Sequence, residues 1–301
     1  MAIDGNIYTT DSASADYVNP DFWSSKLQKG LKQEVFLEQF GRRDLRSLGR
    51  NHKKIYIPTS SYDLEASKVA DGSSIGSEAF SYGQIEVTFD TYATSVAIST
   101  KQLVSSFEFL MPDVKDRLQY GLKKKKEKVI RDALYSDAGL SYYANQTTES
   151  TIGSSDTLDF TDIVWMKSAM SKKNAEPKYL IISPEGRAQL EETAVANGAS
   201  YKRENIIDMD KYVRTFNGID VYATNFIDDG TVNTDVPVWK NLMLGMSNGQ
   251  APFAVAYQEF ATMKIGEDSI LDLQTRVAAY EIYGVAVTES DGVMVAYSAK
   301  E

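Results

Sequence analysis

The chain has 301 residues, of which 43% are apolar and 25% charged, so it carries enough apolar surface to build a core and is not a disordered polymer. A net charge of -10 argues against a surface made to grip phosphate or anionic lipid, both of which need clustered Lys and Arg. With no cysteine and His52 as its one histidine, it excludes disulfides, thiolate chemistry and cysteine-ligated zinc, and any Ser-His-Asp triad would have to pass through His52.

Residues 1–19 are mostly small and polar and read as an arm, with Ile3, Ile7, Tyr8, Tyr17 and Val18 as scattered anchors. The opening Met1 to Asn6 lacks the basic and apolar regions of a secretory signal. Asn19-Pro20-Asp21 starts a helix: a cap, a proline at the first helical position and an acid in the first turn. Trp23, Leu27, Leu31 and Val35 follow at four-residue spacing with Phe36 and Phe40, and Gly41 is a plausible stop. His52 sits in the polar run Arg50 to Lys54 and reads as a solvated loop residue.

Lys54 to Pro58 alternates like a strand, and Ile85, Val87 and Phe89 alternate again. After Asp90-Thr91 the phase changes and Tyr92, Val96 and Ile98 take over. Such a change predicts a bulge, or a strand passing between two environments. Thr59 to Gly83, between the two runs, is rich in Ser, Gly, Ala and Asp. The piece reads as a long two-stranded arm projecting from the body and supported from outside, because an isolated hairpin is marginal in water.

Pro112 opens the longest helical signal, to about Ser136, with Val114, Leu118, Leu122, Val129, Ile130, Ala133 and Leu134 on one face. It carries Lys123-Lys124-Lys125-Lys126 and then Glu127. Four successive lysines point in nearly every direction, so the run reads as a solvated face with Glu127 partly compensating. Contact with an acidic neighbour or with packaged nucleic acid is the alternative. Gly139 to Asp159 reads as a polar linker.

From Phe160 the texture is α/β. Thr161 can cap a helix through Ser171, Tyr179 to Ile182 is a buried strand, and Ser183-Pro184-Glu185 caps a helix to about Ala194. Asn217-Gly218 is a tight turn before a strand from Ile219 to Ala223. Short strands follow at Leu242 to Met246, Phe253 to Tyr257 and Ala261 to Ile265. Gln274 to Tyr297 reads as two long strands around Glu289 to Gly292.

The sequence contains no phosphate-binding loop, dinucleotide fingerprint, nucleophile elbow, zinc-protease helix or calcium loop. Gly72 to Gly76 lacks a lysine and a following helix and reads as flexible loop. The carboxylate pairs Asp208/Asp210, Asp228/Asp229 and Glu191/Glu192 are expected by chance among 42 acids. No catalytic residue, cofactor site or metal site is expected. No apolar run reaches the roughly 18 residues of a membrane span.

The order of parts is the informative feature: polar arm, short helix, long extended loop, long amphipathic helix, α/β body, closing strands. Ile85 to Ser99 with Lys101-Gln102-Leu103, Tyr179 to Leu190, Phe216 to Tyr222 and the ending from Arg276 through Gly284 to Val295 carry a resemblance over nearly the whole chain. It resembles the major capsid proteins of tailed double-stranded DNA viruses, the Hong Kong 97 capsid fold. The fold class implied is α+β, with an N-arm, an extended E-loop hairpin, a spine helix, a P-domain and an A-domain.

The resemblance implies an N-terminal arm and short helix over 1–40, an E-loop hairpin over 50–98 and a P-domain over 99–159 with its spine helix at about 112–136. It implies an A-domain over 160–265 and closing strands over 266–301 shared with the P-domain. The implied function is self-assembly into hexamers and pentamers of an icosahedral shell around double-stranded DNA, without sequence-specific binding and without catalysis. Trp23, Lys68 and Lys123, Lys124, Lys125 and Lys126 are the assembly candidates, Lys68 lying near the middle of the E-loop. A separate scaffolding protein and a portal are implied partners, no membrane is, and the place is the virion, after assembly in the host cytoplasm. The alternatives are an encapsulin-like compartment, a tail or other virion protein that assembles as rings, and a carboxylate-dependent hydrolase.

Overall fold

The computed structural model describes residues 35–60, 68, 82–99, 110–196, 212–233, 235–247, 249–267 and 274–300. The arm, Trp23 and most of the helix expected from Asn19 lie outside the described residues, as do Gly72 to Gly76 and the Asp208/Asp210 pair. A short 3-10 turn, Leu37–Phe40, comes first. It is followed by strands β1 (Arg42–Asp44), β2 (Lys54–Ser60), β3 (Tyr82–Thr88) and β4 (Asp90–Ser99) and the long helix α1 (Leu110–Ser136). Then come β5 (Leu140–Tyr143), α2 (Phe160–Ser171), β6 (Glu176–Ile182), α3 (Pro184–Ala196), β7 (Tyr212–Phe216) and β8 (Ile219–Ala223). The chain continues with β9 (Asp229–Val232), β10 (Val236–Met246), β11 (Phe253–Glu267), β12 (Gln274–Val287) and β13 (Val293–Ala299).

Tyr179 to Ile182 has no polar face, and a strand of that kind must be covered on both sides. It forms the end of β6, inside a sheet ordered β5-β13-β10-β6-β8-β7, with β9 joined to β10. Successive residues serve opposite faces. Leu180, Ile182, Met243 and Met294 pack with Ile163, Met166 and Met170 of α2 and Leu190 of α3. Ile181, Leu242, Leu244 and Val295 point the other way, to Ile130 and Leu134 of α1 and to Phe36, Leu37 and Phe40. The Asn217-Gly218 turn joins β7 to β8 as expected, with φ of 50° and 81° in the left-handed region that this tight turn needs.

A second sheet runs β1-β11-β12-β4. The first half of α1 lies on one face, where Val114, Leu118 and Leu122 meet Ile98, Val277 and Ala279. The β2–β3 hairpin lies on the other, where Ile57 and Val87 meet Ala254, Ala256 and Ala286. The phase change read at Asp90-Thr91 is the corner at Phe89, between β3 and β4. β3 pairs with β2 in the hairpin, whereas β4 pairs with β12 in the sheet, so the apolar set turns from one packing partner to another.

Several expectations are corrected. The helix expected to end at Gly41 is, in its described part, a 3-10 turn: Phe36 is non-helical at φ -150°, and the Phe36 and Leu37 amides bond a side chain of α1. Gly139 to Asp159 is no linker: it contains β5, and Ile152 and Leu158 are fully buried. The Phe253 to Tyr257 and Ala261 to Ile265 strands are one strand, β11, with register irregularities. It pairs with β12 and β1. The two closing strands part company, β12 to the four-stranded sheet and β13 to the larger one.

The cap of α2 is Asp159, not Thr161. The Asp159 carboxylate accepts from the Asp162 amide at 2.8 Å and Asp162 accepts from the Asp159 amide at 3.0 Å, a reciprocal box. Asp159→Ala is expected to lower stability by about 1 kcal/mol in urea unfolding, with Thr161→Ala unchanged within about 0.5 kcal/mol.

Candidate functional site

Residues 122–134 of α1 pack one stripe into the core, and two ionisable side chains fall on it. Leu122, Lys126, Ile130 and Leu134 are spaced by four residues, and Glu127 lies three before Ile130. Lys126 and Glu127 are both buried, so the reading of this part of the lysine run as a solvated face is corrected. Lys123, Lys124 and Lys125 are exposed, and the Lys125 ammonium sits 5.7 Å from the Tyr92 ring centroid.

The Lys126 ammonium donates to Glu281 of β12 at 2.6 Å and to the Tyr257 hydroxyl of β11 at 3.1 Å, and it pairs with Glu38 at 3.5 Å. It also lies over the Tyr257 and Tyr283 rings at 4.9 and 5.4 Å. The Tyr257 hydroxyl passes the chain on, donating to Glu38 at 2.5 Å, and Arg43 closes it on the outside at 2.7 Å. Burial pushes the Glu38 carboxyl up, but Tyr257, Lys126 and Arg43 together outweigh it and hold it below the usual value.

Glu127 does something different. Its Oε1 accepts from the Phe36 and Leu37 amides at 3.1 Å each, and Oε2 accepts from Leu37 at 3.1 Å. Phe36 precedes the 3-10 turn and offers no side-chain cap, so a carboxyl from another element takes that place. Burial raises the Glu127 carboxyl to about 7 against the pull of those two amides. Glu38 and Glu127 thus fasten residues 36–38 to α1 and β11. Next along the chain, β1 pairs parallel with β11, Arg42 opposite Ala254, and Asp44 accepts from Arg46 at the strand's end.

The β2–β3 hairpin is a further candidate element. Its inner face is packed as described, while Tyr56 and Tyr82 on the rest of it are 48% and 70% exposed. Lys54 and Glu86 pair across its strands. Lys68, beyond it, is exposed. Further exposed apolar side chains are Leu45 and Leu48 after β1, Val164 and Trp165 on α2, and Phe260 and Ile265 on β11. His52 is exposed in its loop. Among the described residues no group of three or more acids or histidines is placed to hold a metal ion.

A long helix laid on a small sheet, a hairpin packed on the opposite face and an α/β body with its own sheet define a capsid protein of the Hong Kong 97 type. The chain belongs to the phage capsid protein family, which it matches over residues 83–296. It is similar in structure to the capsid of Ralstonia phage GP4, with a TM-score of 0.75 and 15% identity over 93% of this chain and 95% of that one. It is also similar to the capsid of cyanophage P-SCSP1u, with a TM-score of 0.71 and 13% identity over 93% and 92%. The holo-SrpI encapsulin complex of Synechococcus elongatus PCC 7942 shares the fold too, with a TM-score of 0.63 and 12% identity over 90% and 91%. No curated protein matches the chain by sequence. The fold alone is therefore common to viral and encapsulin shells, and the family match assigns this chain to the viral side as a structural major capsid protein.

Proposed function

We propose that this chain forms the hexamers and pentamers of an icosahedral virion shell that encloses double-stranded DNA without reading its sequence. A separate scaffolding protein and a portal complete the assembly in the host cytoplasm, and the chain catalyses no reaction. In this reading residues 1–40 are the N-arm, 50–98 the E-loop and 99–159 the P-domain with α1 as spine helix; the A-domain begins at 160 and the closing strands at 266. Trp23, Lys68 and Lys123 to Lys125 remain its assembly residues. Lys126 leaves that set, because it is spent inside the subunit.

The observation that carries the reading is the hairpin: packed through one face, with Tyr56 and Tyr82 turned outward, it has the chemistry of an element completed by a neighbouring copy. The test is electron microscopy with light scattering on the purified chain, alone and with a co-expressed scaffold. Closed shells or rings of five and six are expected. A second sample replaces residues 61–81 by Asn-Gly, which would close the Ser60–Tyr82 pair with a two-residue turn. That variant is expected to unfold in urea as the parent does and to form no shells. Normal shells from it would overturn the E-loop reading, and a strict monomer from the parent under every condition would overturn the shell reading.

A further inference from the structure

Lys126 and Glu127 enter the core side by side from α1 and grip the same short stretch, residues 36–38, by different means. Lys126 meets two carboxylates and a phenol, so its charge is answered. Glu127 is 0% exposed and meets two amides, and among the described residues no cation pairs with it. Burying an ionised carboxyl without a counter-ion is costly, and a neutral one avoids that cost.

Among the described residues, the cations near Glu127 are committed elsewhere or exposed. Lys126 is held by Glu281 and Glu38, Arg43 by Glu38, and Arg131, one turn on, by Asp132, Asp228 and the Phe226 carbonyl. Lys123, one turn back, is exposed. Glu38 on the turn itself adds like charge, and Glu281 on β12 is the other carboxylate of the cluster. Among the described residues, the other titratable groups packed on the turn are phenols. Tyr257 and Tyr283 are pushed up by burial, Tyr92 likewise, and Tyr179 and Tyr222 meet the Phe40 ring.

We propose that Glu127 is neutral when the base of the N-terminal segment is seated on α1, so that seating takes up a proton and the grip on Phe36 and Leu37 weakens as the solution goes from mildly acidic to neutral. The geometry suits a neutral carboxyl. With the proton on Oε2, Oε1 still accepts from both amides.

The sign follows from linkage. A carboxyl raised from 4.5 to about 7 binds more proton in the seated state. Its contribution is therefore complete below about 4.5 and is lost as pH rises through about 7. Glu38, held below 4.5, works the other way, and its contribution is complete above that value. The interval from about pH 5 to 7 consequently isolates Glu127.

The experiment is amide hydrogen exchange on the full-length, unassembled chain, corrected for the intrinsic pH dependence, in parent and Glu127→Gln forms. In the parent, protection of the Phe36 and Leu37 amides is expected to fall roughly thirtyfold between pH 5 and 7. In Glu127→Gln, which is neutral at every pH, no such fall is expected. A parent without the fall, or a variant with the same fall, would overturn the proposal. A carbon-13 titration of the Glu127 carboxyl in the parent guards against a variant that packs badly. A midpoint above about pH 5.5 supports the proposal and one at or below it overturns it. Because the subunit is unassembled in both measurements, failure here leaves the shell reading untouched.

Discussion

Lys126→Met is expected to destabilise the subunit by about 3–5 kcal/mol in urea unfolding, the cost of leaving buried charge without its partner. The side chain is nearly the size of methionine, so packing changes little. What changes is that Glu281, at 4% side-chain exposure, loses the ammonium 2.6 Å away. Glu38 fares better, since Arg43 and the Tyr257 hydroxyl still hold it. The double variant Lys126→Met, Glu281→Leu removes the stranded charge with its partner, and it is expected to recover more than half of the loss. A double variant as unstable as the single one would show that the lysine acts through its contact with the Tyr257 and Tyr283 rings instead. A loss below about 1 kcal/mol in the single variant would mean that water reaches Glu281 and that the cluster is not dry.

The elements that the sequence announces are those whose signal is local. Tyr179 to Ile182 as a buried strand, Ser183 as a cap bonded to the Gly186 amide, and Asn217-Gly218 as a turn each need a handful of neighbouring residues and nothing else. The corner at Phe89 was legible too, because a change of phase records a change of packing partner within one strand's length. The partners of Lys126 were not. Glu38, Tyr257 and Glu281 come from three places 88, 131 and 155 residues away, and no periodicity connects them. A trace of the site was nevertheless present. Lys126 stands midway between Leu122 and Ile130, both on the apolar stripe, and a charge at that position is either a misfit or a buried partner. Reading the four lysines as one run hid it. The Asp159 cap was hidden for a similar reason: the box depends on Asp162 turning back, which the spacing allows but does not require. The course of β11 was hidden by its irregularities, which break the alternation into two apparent strands.

Gly284→Ala is the second variant with a large expected effect, a loss of about 3 kcal/mol. Gly284 sits on β12 opposite Ala256 of β11, on the face where the hairpin root crosses. A Cβ built there would lie 2.2 Å from the Thr88 carbonyl oxygen and 2.7 Å from Val87 Cγ1. The first of these is backbone and cannot rotate aside, so the end of β3 must lift. Lifting it pulls Val87, now fully buried, and its neighbour Ile57 off Ala254, Ala256 and Ala286. The loss should therefore appear in two places: the urea midpoint and the exchange of β2–β3 amides. The control is Gly266→Ala on β11, where a Cβ meets nothing within 4 Å and a change within about 0.5 kcal/mol is expected. In the proposed shell the angle at which the hairpin leaves the body decides where it meets the next copy, and this bare position lets it lie flat. Gly284→Ala is then expected to impair shells even in conditions where the subunit stays folded. If it matched the Gly266→Ala control in stability and assembly, the close approach at Thr88 would not set the hairpin's angle, and that role would pass to the Val87 and Ile57 packing alone.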